Sequence, residues 1–161
     1  MTSYACDRAE IVDLMARYLF AMDYHDHDAY AECFTQDGVL DYAGGVTQGR
    51  EAIRQEAKVF KENVAKLFVD WQGNPAKLRH LVQHKAIRIE GDRAWHTGFW
   101  WEMTNGGPEG SLATPSFGTY QDELARVEGR WLFTRRRINN EFLEGRETGA
   151  GNPIATLEPQ R

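Results

Sequence analysis

The stretch from Arg79 to Met103, RHLVQHKAIRIEGDRAWHTGFWWEM, constrains the fold more than any other part of the chain. Strand-like runs flank Gly91-Asp92, a turn signal, so the segment reads as two long paired strands. Val127-Glu128-Gly129-Arg130 repeats the same logic further on. The predicted strands cover about 78–90, 93–104, 114–127 and 130–141, and 105–110 forms a loop between the middle two. Helical periodicity precedes all of this. Helices first and antiparallel strands after them define an α+β chain, with the helices packed on one face of a strongly curved sheet.

The helices follow from spacing. Ile11, Leu14, Met15, Tyr18, Leu19 and Met22 recur at helical intervals to about Tyr24, with Asp7 as N-cap and Glu10 completing a capping box. Asp26 or Asp28 caps a short second helix ending near Phe34. Thr35 to Gly38 reads as a turn, and Val39 to Tyr42 as a short strand closed by Gly44-Gly45. Ile53, Ala57, Phe60, Val64 and Leu67 mark a third helix from Gly49, with Asn63 as the point where it would break. The tail from Gly145 is rich in Gly and Pro and reads as irregular. There is no repeat and no linker, so residues 1–161 are expected to form one domain, with a core of about 5–145 and a tail of 146–161.

A net charge of -5 argues against nucleic acid or an anionic membrane as partner. No apolar run reaches the ~18 residues of a membrane span. The N-terminus, MTSYACDRAE, has neither a basic start nor an apolar segment, and Cys6 and Cys33 are too few for a disulfide framework. The expectation is a cytoplasmic protein with free thiols.

Some residues stand out on their own chemistry. His80 carries the side chain whose ordinary pKa lies nearest neutrality, which suits a general base. Asp23 falls at the end of the first helix, where an acid opposes the helix dipole and is a poor structural choice. Alternation puts His96, Gly98, Trp100 and Glu102 on one face of the second long strand, an odd place for a glutamate if that face were solvated. His80 and His84 have a spacing that on a helix would hold zinc, but the stretch is a strand and lacks a third ligand. The cluster Asp23, His25, Asp26, His27 and Asp28 is explained mostly by capping. No metal and no cofactor are expected.

The segments ARYLFAMDYHDHDAYAECF, DGVLDYAGG, GREAI, RHLVQH and EGRWLFTRRRINNEF together resemble the SnoaL-like branch of the nuclear transport factor 2-like superfamily. Scytalone dehydratase, bile acid 7-alpha-dehydratase, hexachlorocyclohexane dehydrochlorinase and ketosteroid isomerase belong to that group. The resemblance covers roughly 5–145. It implies a cone-shaped α+β barrel with a pocket between helices and sheet. It implies a His80–Asp23 dyad in which Asp23 orients the imidazole and leaves one ring nitrogen free to take a proton. Tyr18 matches a tyrosine of the bile acid enzyme and Tyr42 one of scytalone dehydratase. Glu102 stands where the bile acid enzyme has Asp, as the acid assisting a departing hydroxyl. Trp100, Tyr120, Gly118 and His96 would contact substrate. Members are commonly trimers or dimers, so a homo-oligomer is implied, a trimer in preference.

The activity this implies is loss of water from a hydrophobic cyclic or polycyclic small molecule by His–Asp acid–base catalysis, without a cofactor. The same pocket would also serve an isomerase or cyclase of polyketide or steroid type, or a member that binds small molecules without turning them over.

Overall fold

The computed structural model describes residues 3–157. Met1, Thr2 and the last four residues of the expected tail lie outside them. Three helices, α1 (Tyr4–Asp23), α2 (His27–Ala31) and α3 (Arg50–Leu67), pack on an open six-stranded sheet. Its strands are β1 (Phe34–Tyr42), β2 (Gly45–Gln48), β3 (Leu78–Glu90), β4 (Arg93–Thr104), β5 (Phe117–Val127) and β6 (Arg130–Asn140), ordered β2-β1-β6-β5-β4-β3. Only β1 and β6 run parallel; all other neighbours are antiparallel. The expected α+β architecture is thus the one found, and no helix is long and apolar enough to cross a membrane among the described residues.

Several local expectations change. Ser3, not Asp7, caps α1, its hydroxyl accepting from the Cys6 amide at 3.3 Å. Asp7 lies buried in the first turn, where its carboxylate holds Arg126 and accepts from Trp131 Nε1 at 3.4 Å. Asp26 does cap α2, but that helix ends at Ala31 and Phe34 already opens β1. The expected turn at 35–38 lies inside β1, where the pairing to β6 slips between Phe34 and Val39. Turn-forming residues there make a bulge rather than a chain reversal. The pair Gly44-Gly45 does not end the sheet. Tyr42 pairs with Gly45, leaving Ala43-Gly44 as the tip of a hairpin whose second strand, β2, the spacing did not reveal. Helix α3 runs unbroken through Asn63. The tail is irregular except for a short 3-10 helix at Pro153–Thr156, and it is tied down: Arg146 reaches Asp41 at 2.8 Å and the Ile138 carbonyl at 2.6 Å.

Below the wide end of the cone, α1 and the sheet enclose a polar cluster in an aromatic shell. Arg136 is fully buried and donates to Asp122 through Nε at 2.8 Å and Nη2 at 2.7 Å. Its guanidinium lies 4.1 Å from the Tyr18 ring, 4.2 Å from Tyr120 and 4.0 Å from Phe133. His96 Nδ1 stands 2.7 Å from the same Asp122. Tyr18 and Tyr120 also line the cavity above, so their rings form its floor.

Candidate active site

The cavity occupies about 510 Å³ between the concave face of the sheet and helices α1 and α3. Met22, Ala57, Phe60, Val64, Leu78 and Ile138 make most of its wall apolar. Into this wall the sheet register brings a charged group. His80 on β3 pairs with Glu102 on β4, both with side chains on the concave face. Asp23, the last residue of α1, reaches the same point from above.

Asp23 grips His80 twice. One carboxylate oxygen lies 2.6 Å from Nδ1, and the other accepts the His80 backbone N–H at 2.9 Å. That fixes both ring orientation and tautomer. The ring nitrogen expected to stand free is also held: Nε2 lies 2.9 Å from a Glu102 oxygen. Glu102 in turn accepts from the Ser116 hydroxyl. The three side chains are 7%, 6% and 7% exposed. Burial by itself depresses the imidazole pKa. Hydrogen bonds and charge from Asp23 and Glu102 outweigh it and raise the pKa to about 9. At neutral pH the site therefore rests as an imidazolium between two carboxylates.

The aromatic candidates divide by where their protons go. Tyr18 and Tyr30 share one hydrogen bond, 2.8 Å between hydroxyl oxygens. Burial raises both pKa values, so both stay protonated at neutral pH. Two phenolic protons and one mutual bond leave one donor to spare. Tyr42 donates its only proton to Glu56, and burial and that carboxylate push its pKa up. It can accept from a ligand but has nothing to give. Trp100 stacks on Tyr120 at 5.9 Å, lies 6.3 Å from the His80 ring, and donates to the Asn139 carbonyl at 3.1 Å.

Two expected contacts fall outside the cavity wall. Gly118 sits behind it: a Cβ there would run into the Asn139 carbonyl and crowd Trp100 Nε1. Its part is to let strand and indole close up. His96 lies under the floor in the Arg136 cluster, fully shielded. It shares the face of Trp100 and Glu102, as alternation required, but α1 covers that end of the strand.

The residues that sequence reasoning did not single out are Tyr30, Glu56, Ser116 and Asn140, all on the wall. Two of them left a signal. Glu56 shares a helical face with Ile53 and Phe60, and Asn140 keeps the inward phase of Ile138.

An open, curved α+β cone with a helix-covered cavity is the architecture of nuclear transport factor 2-like proteins, described also as cystatin-like. The chain belongs to the SnoaL-like domain family, whose model matches residues 3–137. No curated protein sequence matches it. Among solved structures it is similar to a protein of unknown function from Mycobacterium tuberculosis, at 25% identity and a TM-score of 0.72, over 94% of this chain and 89% of that one. A Catenulispora acidiphila protein solved in complex with S-DNPA is 27% identical, with a TM-score of 0.70, over 85% and 95% of the two chains. ActVI-ORFA from Streptomyces coelicolor shares the fold at 18% identity and a TM-score of 0.73, over 86% and 98%.

Proposed function

We propose that this protein is a cofactor-independent lyase that removes water from a hydrophobic cyclic or polycyclic small molecule. The observation that carries the reading is a buried imidazole on the wall of an apolar cavity, held at one nitrogen by Glu102 on the same wall and at the other by Asp23 behind it. A carboxylate pair is wasted on a purely structural histidine, and burying it is costly unless the charges are matched. The S-DNPA complex of the Catenulispora relative supports a small-molecule ligand in this cavity.

Elimination of water needs one group to take a proton from carbon and another to give one to the leaving hydroxyl. A histidine with a pKa of about 9 begins the cycle protonated, which suits it to give. The substrate hydroxyl takes the place of the Glu102 oxygen at Nε2–H and receives its proton, and that C–O bond breaks as water leaves. The freed Glu102 oxygen takes the proton from the neighbouring carbon, whose C–H electron pair becomes the new C=C bond. Glu102 then returns that proton across the 2.9 Å gap to Nε2, and the site is reset. Asp23 holds the ring throughout. The spare phenolic proton of the Tyr18–Tyr30 pair polarises a carbonyl that acidifies the carbon.

The test is incubation with a panel of cyclic β-hydroxy ketones, no cofactor added, followed by mass spectrometry. Loss of one water by wild type is expected, with rates lowered roughly 10²–10⁴-fold in His80→Ala and Glu102→Gln. Rearrangement at unchanged mass would make the same relay an isomerase. Tight binding without turnover, equal in wild type and His80→Ala, would leave a binding protein.

A further inference from the structure

We propose that the side-chain amide of Asn140 is a second polar anchor in this cavity. It holds an oxygen function, hydroxyl or carbonyl, at the end of the ligand away from His80. The inference takes the cavity of the proposed lyase as the ligand site, and it narrows the substrate class to apolar fused-ring molecules oxygenated at both ends.

Asn140 is the last residue of β6, is 9% exposed, and lines the cavity. Its backbone is fully used: the N–H donates to the Arg146 carbonyl at 2.9 Å, and the carbonyl accepts from Leu143 at 3.1 Å. The side chain is not. Its Oδ1 is shut off from solvent without a partner, and neither amide atom makes a hydrogen bond among the described residues. The preceding residue shows the contrast. Asn139 accepts from Arg137 at 2.9 Å and donates to Thr119 at 3.1 Å, so its amide is a structural group. Among the described residues, two on the cavity wall carry orphaned buried atoms, His27 and Asn140, and of these only Asn140 is nine-tenths buried.

A buried amide without a partner is destabilising, and structures rarely leave one. Nδ2, unpartnered and not shut off, is the amide atom that donates to a ligand hydroxyl or carbonyl oxygen, and rotation about the last side-chain bond brings the buried Oδ1 round to accept from a hydroxyl instead. Asn140 pairs with Gly118, which pairs with Trp100, and the Trp100 indole lies over that glycine to donate to the Asn139 carbonyl at 3.1 Å, so an aromatic ring and no β5 side chain borders Asn140 on that rung. Two strand steps lead from Asn140 to the strand of Glu102 and three to that of His80. At the usual spacing that is about 10–14 Å backbone to backbone before curvature shortens it. Two fused rings with an oxygen and a hydrogen bond at each end fill such a span.

The test is isothermal titration of 2,6-dihydroxynaphthalene and 2-naphthol into wild type and Asn140→Leu. Wild type is expected to bind the diol about tenfold more tightly than the mono-ol, the ratio one well-placed hydrogen bond supplies. In Asn140→Leu that ratio should fall to about one, with circular dichroism and melting temperature unchanged or improved. Asn140→Ala replaces the leucine variant if that does not fold. A preference that survives the substitution, a wild type with no preference, or a wild type that takes up neither probe overturns the inference. Turnover plays no part in the titration. A wild type that prefers the diol yet dehydrates none of the hydroxy ketones ends the lyase reading and leaves the anchor standing.

Discussion

Two histidines of this chain sit on the same sheet face, each with a carboxylate at Nδ1, yet one is cationic at neutral pH and the other neutral. His80 has Asp23 at 2.6 Å and a pKa raised to about 9. His96 has Asp122 at 2.7 Å and a pKa lowered, first by burial, with Arg136 and Lys85 opposing what Asp122 restores. The third member decides. Beside His80 it is another carboxylate, Glu102, so a cationic ring offsets one of two negative charges that a neutral ring would leave unanswered. Beside His96 it is Arg136, which already neutralises Asp122 through two hydrogen bonds. A histidine–carboxylate pair is therefore not by itself a catalytic signature; the next charge along determines whether the ring has a proton to move.

Changing that third member gives the largest effect. Arg136→Met leaves the Asp122 carboxylate buried with only His96 to answer it. Breaking a buried pair this way costs about 3–5 kcal/mol. The surviving folded protein should hold His96 protonated at neutral pH, in the manner of His80, which ring-nitrogen NMR shifts will report. A folded variant with His96 still neutral would mean that something other than the guanidinium sets its state.

The two sites also predict stability slopes of opposite sign. His80 has a folded pKa of about 9 against an ordinary value of 6.5, so its stabilisation is complete below 6.5 and lost as pH rises through 9. The loss amounts to roughly 3 kcal/mol. His96 has its folded pKa depressed, so its contribution is present above 6.5 and lost as pH falls below it. Urea midpoints should thus fall on both sides of neutrality. His80→Asn should flatten the alkaline limb alone, and Glu102→Gln should move that limb to lower pH. An alkaline limb unchanged by either substitution contradicts the clamped imidazolium.

A smaller effect is expected at Gly98, which lies between the two histidines in the strand pairing. A Cβ there would come within 2.9 Å of His96 Nε2 and 3.1 Å of the Gln83 carbonyl. Gly98→Ala should cost about 1–3 kcal/mol through displacement of the ring. The His80 pKa should not move, because none of its partners touch that position. A shift of both histidines would show that the two clusters are mechanically one.

What was legible in advance follows from how local each signal is. The four long strands and the hairpin turns were readable because alternation and turn chemistry act over a few residues. The resemblance brought Asp23 to His80, while the pairing of His80 with Glu102 came from a register shift between Gln83 and Ala86. Three things were not readable. The charge state of His80 depended on a second carboxylate closing Nε2, a contact across strands that no spacing encodes. His96 followed the inward phase correctly but ended under the floor, since phase gives the face and not the depth. Strand β2 was missed because four residues flanked by glycine look like the close of a strand until their partner is known. Asn140 left a signal, the inward phase it shares with Ile138, in a run of arginine and asparagine that otherwise reads as surface.

The smallest effect tests the ring that joins the two regions. Tyr18 presents its face to Arg136 below, at 4.1 Å, and its hydroxyl to Tyr30 beside the cavity, at 2.8 Å. Tyr18→Phe keeps the face and removes the hydroxyl, so the stacking on Arg136 should survive while the bond to Tyr30 and the hydroxyl's own contact with Arg136 are lost. A destabilisation of about 1 kcal/mol is expected. Tyr18→Leu removes the face as well and should cost distinctly more, because a desolvated guanidinium gains about 2 kcal/mol or more from an aromatic face. Denaturant titrations of the two variants separate these contributions. If phenylalanine costs as much as leucine, the hydroxyl carries the floor of the cavity and the stacking on Arg136 does not. In that case Tyr18 belongs energetically to the site above it rather than to the cluster below.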